Sequence, residues 1–464
     1  MTIKILFIAT ISGRFEVETR FGDLGPCYLA SYAKKYFGKE DLEFKMVSSD
    51  VENAMREFKP DIVGIKAVSL HYPIARKHAE IVKSINKDIP VIMGGIHITL
   101  MPLSLDKNMD LAVIGEGERT FTELLNIYHK HRLFPKKELC KVNGVAYWDK
   151  DKIKVTAPRA LIENLDEVPF PDRDLVKIEP LTYIFTSRGC PYKCTFCAST
   201  RFWTRVRFFS AKYVVSEIKF LYETYNVRQI NIFDDLFIAN KDRVREIVNL
   251  LEKEGLLGKI RFTCMCRANL IDDSILVLLK KMNVSTIGLG LESGSQKILN
   301  YLKCGTVTIE QNKNSIELIK KYNIEATASF IIGAPEETYD DVIETLNFIK
   351  KSKLDSFEIY VLTPYPGTPL WDYGKQHGLV SDDMDLSLLD QFFLHSPSTA
   401  IILSEKVSRK ELINLYMMFE RERKIRLLLR ALRNLKNPGR IYRAGSRMLI
   451  EAFNGLKRKR GLHG

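Results

Sequence analysis

Hydrophobic and polar positions along residues 3–126 follow two alternating patterns. Short apolar runs ("IKILFIAT", "LEFKMVS", "DIVGIKAV", "PVIMGG", "LAVIGEGE") are separated by amphipathic stretches at 24–37, 51–58, 73–86 and 118–129. The apolar runs suit strands covered on both faces, and the stretches of helical period suit the helices that cover them. Together they predict a doubly wound, flavodoxin-like (Rossmann-like) α/β domain built on a parallel sheet. Glycines after strands, Gly94, Gly95, Gly115 and Gly117, fall where an open sheet of this kind takes ligands.

Residues 138–156, with "NGVAYWDKDKIKVT", predict a hairpin turning at Asp149–Lys152. The proline- and acid-rich "PRALIENLDEVPFPDRDL" that follows predicts a connector. A second series starts at "LTYIFTS", with strands at 228–233, 260–265, 285–290, 325–332 and 355–361. Helices are predicted between them at 210–225, 241–254, 272–282, 308–322 and 338–351. Six strand–helix units imply a (β/α)6 partial TIM barrel, with functional residues at the C-terminal ends of the strands. The expected organisation is a Rossmann-like domain at 1–135, a hairpin and linker at 136–180, the barrel at 181–375 and a helical, basic extension at 376–464.

Composition narrows the class. With 464 residues, 45% hydrophobic and 27% charged, the chain suits two globular domains. No stretch approaches the roughly 18 unbroken apolar residues of a membrane span, and "MTIKILFIAT" lacks a signal peptide's cleavage site. Eight cysteines without an export signal argue for metal ligation rather than disulfides, and for a cytoplasmic location. The net charge of +13 is concentrated at one end: from Arg421 onward there are fourteen Lys/Arg and two Glu, a local +12.

The chemistry centres on "SRGCPYKCTFCAS", where Cys190, Cys194 and Cys197 form C-x3-C-x2-C after the first strand of the second series. A structural zinc site usually takes four N/S ligands, and no fourth Cys or His lies nearby; His377 and His395 are far along the chain. Three thiolates suit a [4Fe–4S] cluster with one iron open to a chelating small molecule. Zinc and three unrelated thiols are the other readings.

This loop, with Phe196 before its last cysteine, resembles the cluster loop of the radical S-adenosylmethionine superfamily. "INIFDDLF" looks like the family's acidic motif, which implies that Asp234 and Asp235 bind the methionine amino group. "GLGLESGSQKIL" is similar to its ribose-binding segment, carried by Glu292 and Ser293. "SFIIGAPEET", with Ile331, resembles the segment beside adenine, and "YVLTPYPGTPLWD" the segment that closes the barrel. The resemblance implies a [4Fe–4S] cluster at Cys190, Cys194 and Cys197, S-adenosylmethionine beside it, and a reductant such as flavodoxin or ferredoxin. Asp234/Asp235 and Glu292 can also be read as helix caps.

A Rossmann-like domain ahead of such a barrel resembles the cobalamin-binding subclass, which implies that Ser69, Gly94, Gly95, Gly115, Gly117 and Glu118 line the corrin and its nucleotide tail. The cobalt-ligating His motif of many cobalamin domains is absent; "RFGDLGPCYLA" stands there. Either cobalt has no protein His ligand or the domain has lost cobalamin. His71 and His97 lie near the expected pocket, as neutral loop histidines or as cobalt ligands. The implied reaction is C-methylation at an unactivated carbon through a 5′-deoxyadenosyl radical and methylcobalamin. A radical oxidative cyclase or C–C coupling enzyme is the second reading, and a non-catalytic iron–sulfur electron-transfer protein the third.

Two features remain. Cys264 and Cys266, two apart on a strand, could ligate an auxiliary cluster with Cys304 or could be small core residues. Arg267, at the same strand end, could contact a carboxylate. In the tail, Leu428, Leu432 and Leu435 recur beside Arg426, Arg430 and Arg433. One reading is a helix on the inner membrane surface presenting a hydrophobic substrate; the other is a helical cap on the barrel with a solvated basic face. No aromatic stacking platform accompanies the charge, which disfavours nucleic acid.

Overall fold

The computed structural model describes residues 2–11, 21–390 and 397–435. The first sheet is formed by β1 (Ile3–Ala9), β2 (Leu42–Val47), β3 (Ile62–Lys66), β4 (Val91–Gly94), β5 (Leu111–Val113), β6 (Val145–Asp149) and β7 (Lys152–Val155), in the order β2-β1-β3-β4-β5-β6-β7. The first five strands are parallel, in a flavodoxin-like order with its switch point at β1/β3. The hairpin β6–β7 continues the same sheet antiparallel, pairing Val113 with Val145. Apolar runs such as "IKILFIA" are buried on both faces because helices cover both sides, giving two core clusters.

The second sheet contains β8 (Leu181–Ile184), then, beyond the small antiparallel pair β9 (Ser187–Arg188) and β10 (Arg207–Phe208), the strands β11 (Gln229–Ile232), β12 (Arg261–Cys266), β13 (Val284–Glu292), β14 (Glu325–Ile332) and β15 (Ser356–Val361). Its order, β15-β14-β13-β12-β11-β8, is all parallel: the six-stranded partial barrel. Side-chain caps fix where the outer helices start. Ser210, Asn240 and Asp272 each accept from the backbone three residues on, and Thr308 and Thr338 form capping boxes.

The two sheets are knitted together. Leu24, Cys27, Tyr28 and Tyr32, on the first-domain helix Leu24–Tyr36, pack in the barrel's core cluster. Trp371, Val380, Leu386 and Leu389, which follow the barrel, pack in a cluster of the first sheet. Tyr183 on β8 donates to Gly22 O at 2.9 Å and accepts from Leu24 N at 3.1 Å. The C-terminal ends of both sets of strands are thereby tied to one another.

The helix Arg409–Leu435 docks along β15 with Arg421 and Lys424 exposed, but two of its arginines turn toward the barrel. Arg426 is buried and donates to Leu354 O at 2.6 Å and to Ile349 O, satisfying carbonyls at the C-terminal end of the helix Tyr339–Lys351. Arg430 pairs with Glu325 at 2.5 Å, while Ile425, Leu428 and Leu432 are exposed. Orphan carbonyls and an acidic strand residue draw the arginines inward. The remainder of the basic tail, 436–464, lies outside the described residues. Among the described residues no helix is long and apolar enough to cross a membrane.

Candidate functional site

The cysteine loop is clasped at its base. β9 and β10 pair Ser187 with Phe208 and Arg188 with Arg207, so residues 189–206 leave and re-enter at one point. Gly189 opens the loop at φ 92°, where a Cβ would come within 2.7 Å of Arg205 O, so the turn requires glycine. Cys194 is buried, Cys190 and Cys197 are half-buried, and none is in a disulfide. Burial raises the Cys190 thiol and pushes Cys197 up to about 11. As they stand, no three Cys, His, Asp or Glu side chains among the described residues form a metal cage. The fit to a [4Fe–4S] cluster lies in the donor set: three soft ligands on one clasped loop, converging on assembly.

Asp234 and Asp235, one motif in the sequence, part company at the end of β11. Asp234 is buried; it accepts from Thr186 N and Oγ1, both at 2.5 Å, and from Ser187 Oγ at 2.7 Å, with Arg243 at 3.8 Å. Its oxygens are committed to the segment leading into the cysteine loop. Asp235 is exposed on the mouth and accepts from Ser199 Oγ at 2.6 Å. Desolvation by the crowded loop raises its carboxyl.

Glu292 ends β13 at φ 64°, next to an irregularity in the β13–β14 register. A non-glycine residue held there is strained, and strain of this kind clusters at binding sites. Its carboxylate is buried and pairs with Lys303 at 3.1 Å. Ser293 is buried against Thr345 Oγ1 at 3.1 Å and accepts from Ser295 N at 3.1 Å. It thus shapes the start of the helix Gln296–Lys303, a structural use that leaves Glu292 as the polar candidate of the pair. Ile331 lies in an apolar cluster with Leu362 and Leu370, against which Phe196 packs. The loop aromatic and the β14 strand end, 135 positions apart in sequence, thus share one apolar surface.

Cys264 and Cys266 lie 3.8 Å apart, buried in the core, while Cys304 is exposed and donates to Lys193 O at 3.2 Å. Core packing explains the first two.

At the C-terminal edge of the first sheet, Gly94 and Gly115 have nothing within 4 Å of the position a Cβ would take. Gly95, at φ 99°, holds its backbone so close to Ala67 O that a Cβ would lie 2.8 Å away. Side-chain-free backbone at open positions fits a flat macrocycle approaching this edge. Gly117 packs under Leu29, toward the protein. Ser69 is buried and bonds His97 Nδ1 at 3.1 Å, with Ser104 Oγ at 3.0 Å from His97 Nε2. Burial lowers His97 to about 4. With both ring nitrogens engaged, it is a neutral structural histidine. His71 is likewise buried.

Comparison with known proteins decides the family. The radical SAM superfamily matches residues 184–349, and the B12 binding domain matches residues 14–125. An uncharacterized methyltransferase of Pyrococcus horikoshii is 36% identical over 382 residues, covering 78% of this chain and 81% of that protein. The chain belongs to the radical SAM superfamily. Another relative, the anaerobic magnesium-protoporphyrin IX monomethyl ester cyclase of Rubrivivax gelatinosus, is 31% identical, covering 80% and 69% of the two chains. Among solved structures, the fold resembles that of the radical S-adenosylmethionine methyltransferase TsrM from Kitasatospora setae with cobalamin and a [4Fe–4S] cluster bound. The TM-score is 0.67 at 17% identity, over 82% of this chain and 76% of that one.

A B12-binding domain ahead of a radical SAM domain makes this a cobalamin-dependent radical SAM enzyme, with a [4Fe–4S] cluster, S-adenosylmethionine and cobalamin as cofactors. One element of this radical SAM site is not legible in the sequence. Glu118, placed by resemblance at the corrin edge, pairs with Arg188 at 2.5 Å. Glu116, two positions earlier at the N-cap of the helix Gly117–His131, pairs with Arg188 at 2.6 Å and Arg207 at 2.9 Å. All four side chains are buried. Burial acts to raise the Glu116 carboxyl, but the Arg207 and Arg188 guanidiniums outweigh it and hold the group below its usual range. The acid pair of "GEGE" and the arginine of "SRGC" were visible in sequence, but nothing local pairs them.

Proposed function

We propose that the enzyme transfers a methyl group to an unactivated carbon of its substrate. The observation that carries this is the buried Arg188–Glu116–Glu118 network, which fastens the glycine-lined edge of the B12-binding domain to the base of the cysteine loop. A methyl carrier and a radical source are useful together only if one substrate carbon can face both. The similarity to a methyltransferase over 81% of that protein's length supports the same reading.

When bound, the cluster and S-adenosylmethionine supply the reductive generation of a carbon radical, and cobalamin supplies the methyl group. The chain's own work is to position and shield. Cys190, Cys194 and Cys197 would hold the cluster; Asp235 would be available to the methionine ammonium and Glu292 to ribose hydroxyls; Phe196 and Ile331 would offer an apolar wall to adenine. Clasp and clamp keep the mouth in register with the corrin edge. The electron comes from an external low-potential donor such as flavodoxin or ferredoxin.

The test needs no substrate. The anaerobically reconstituted chain, given cob(I)alamin and S-adenosylmethionine, should form S-adenosylhomocysteine and methylcobalamin in equal amounts. A second reading, radical cyclisation, is favoured by the similarity to the Rubrivivax gelatinosus cyclase. It expects 5′-deoxyadenosine in turnover without S-adenosylhomocysteine.

A further inference from the structure

Arg267 follows β12, and each of its guanidinium nitrogens has a partner. Nε donates to Asn269 Oδ1 at 3.1 Å and Nη2 donates to Thr306 Oγ1. Nη1 points at Cys194 Sγ, 3.5 Å away. The guanidinium carbon stacks over the Tyr192 ring at 3.7 Å, and Asn269 Nδ2 donates to that ring's hydroxyl at 3.1 Å. Tyr192 lies between Cys190 and Cys194 in the loop itself. Two hydrogen bonds and a stack therefore hold Arg267, and the group is buried. Those bonds leave both N–H groups of Nη1 free of Asn269 and Thr306, and Nη1 is directed at a cysteine sulfur. This partner is other than the carboxylate that Arg267 could contact from its place at the strand end.

We propose that Arg267 donates a hydrogen bond to the Cys194 sulfur in the assembled cluster and thereby raises the cluster's reduction potential. The inference rests on the reading that the three cysteines hold a [4Fe–4S] cluster. Reduction adds one electron, from a low-potential external donor, to the cluster and its thiolates. A fixed cation with an N–H aimed at a ligand sulfur stabilises the added charge, and hydrogen bonds to cluster sulfurs are a known determinant of potential. The site is buried, so solvent screens that interaction weakly. Lysine cannot reproduce the arrangement, because it offers a point charge without the planar fork that bonds Asn269, Thr306 and sulfur together. Arg267 is accordingly a positioning and tuning residue.

The experiment uses the full chain, reconstituted anaerobically with iron and sulfide. Metal and sulfide analysis counts clusters, and an EPR-monitored redox titration gives the midpoint. Arg267→Met and Arg267→Gln should both load cluster and shift the midpoint to more negative potential, with Arg267→Lys falling between them and the unsubstituted chain. If Arg267→Met loads no cluster, Arg267→Gln decides. An unchanged midpoint in a loaded neutral variant overturns the proposal, as does failure of both neutral variants to load. Absence of cluster in the unsubstituted chain would instead remove the reading of the cysteine loop, and the proposal with it.

Discussion

Arg188 Nη2 donates to Glu118 Oε1 at 2.5 Å, joining a residue two positions ahead of the first cluster cysteine to the first turn of the helix after β5 of the B12-binding domain. The pair is buried and reinforced by Glu116, Arg207, and the Tyr28 and Trp203 rings that Arg188 lies over. Breaking such a network from one side leaves uncompensated charge. Arg188→Met should therefore destabilise the chain by about 3–5 kcal/mol, read as a lower thermal midpoint. It should also weaken retention of hydroxocobalamin, followed by visible absorbance. Adding Glu118→Gln to Arg188→Met should recover part of the stability but not the cobalamin retention, because the stranded Glu118 charge is gone and Glu116 keeps its pair with Arg207, while the tether between the two edges stays broken.

The cysteine loop makes a separate prediction. Replacing Cys190, Cys194 or Cys197 singly with Ala should reduce bound iron and 5′-deoxyadenosine production to background, while circular dichroism stays native. The fold does not lean on these thiols, since the β9–β10 clasp and the Asp234 hydrogen bonds hold the loop's base. Cys304→Ser is the internal control. Its thiol is exposed and bonds only a backbone carbonyl among its described contacts, so iron content should be unchanged.

What could be read from the chain, and what could not, follows from the range of each interaction. The strand Glu325–Ile332 matches expectation residue for residue because EATASFII buries every second position before ending in an apolar run, a period-two pattern written locally in the sequence. The outer helices matched to within a residue or two because their amphipathic period and caps are local. The helix Gln296–Lys303 is legible only as motif sequence. The β9–β10 clasp, at two residues a strand, leaves no alternation at all. The Arg188 pairs span 70 and 72 positions, and the Arg426 contacts with strand and helix ends span more than 70. No local pattern encodes such partners. For the same reason Asp234 and Asp235 read as equals in sequence, although only the fold turns one of them inward.

Glu292 combines a left-handed backbone with a buried carboxylate paired to Lys303. If it accepts ribose hydroxyls, Glu292→Gln keeps the shape but loses the charge-assisted character of those bonds. S-adenosylmethionine affinity should fall roughly tenfold, about 1.4 kcal/mol, as measured by isothermal titration of the cluster-loaded protein. Glu292→Asn tolerates the left-handed region better but leaves the buried Lys303 without its carboxylate, so it should be less stable than the unsubstituted chain and bind as poorly as the Gln variant. Unaltered affinity in both would assign Glu292 to loop geometry alone.

His97 predicts a pH response in the B12-binding domain. Burial holds it neutral in the folded chain, with its pKa lowered to about 4, whereas an unfolded histidine titrates near 6.5. Between those values the unfolded chain binds the extra proton. Folding stability contributed by His97 is therefore full above about pH 6.5 and declines as the pH falls toward 4, by about 3 kcal/mol in all. The charged and polar groups facing it temper the effect little: Ser69 and Ser104 are neutral, and the Tyr72 ring lies 4.1 Å from the imidazole. Denaturant unfolding at pH 7.5 and pH 5, at about the same ionic strength, should show the loss in the unsubstituted chain. His97→Gln can keep one hydrogen bond to Ser69 or Ser104 without titrating. It should be less stable at pH 7.5, yet lose less on acidification.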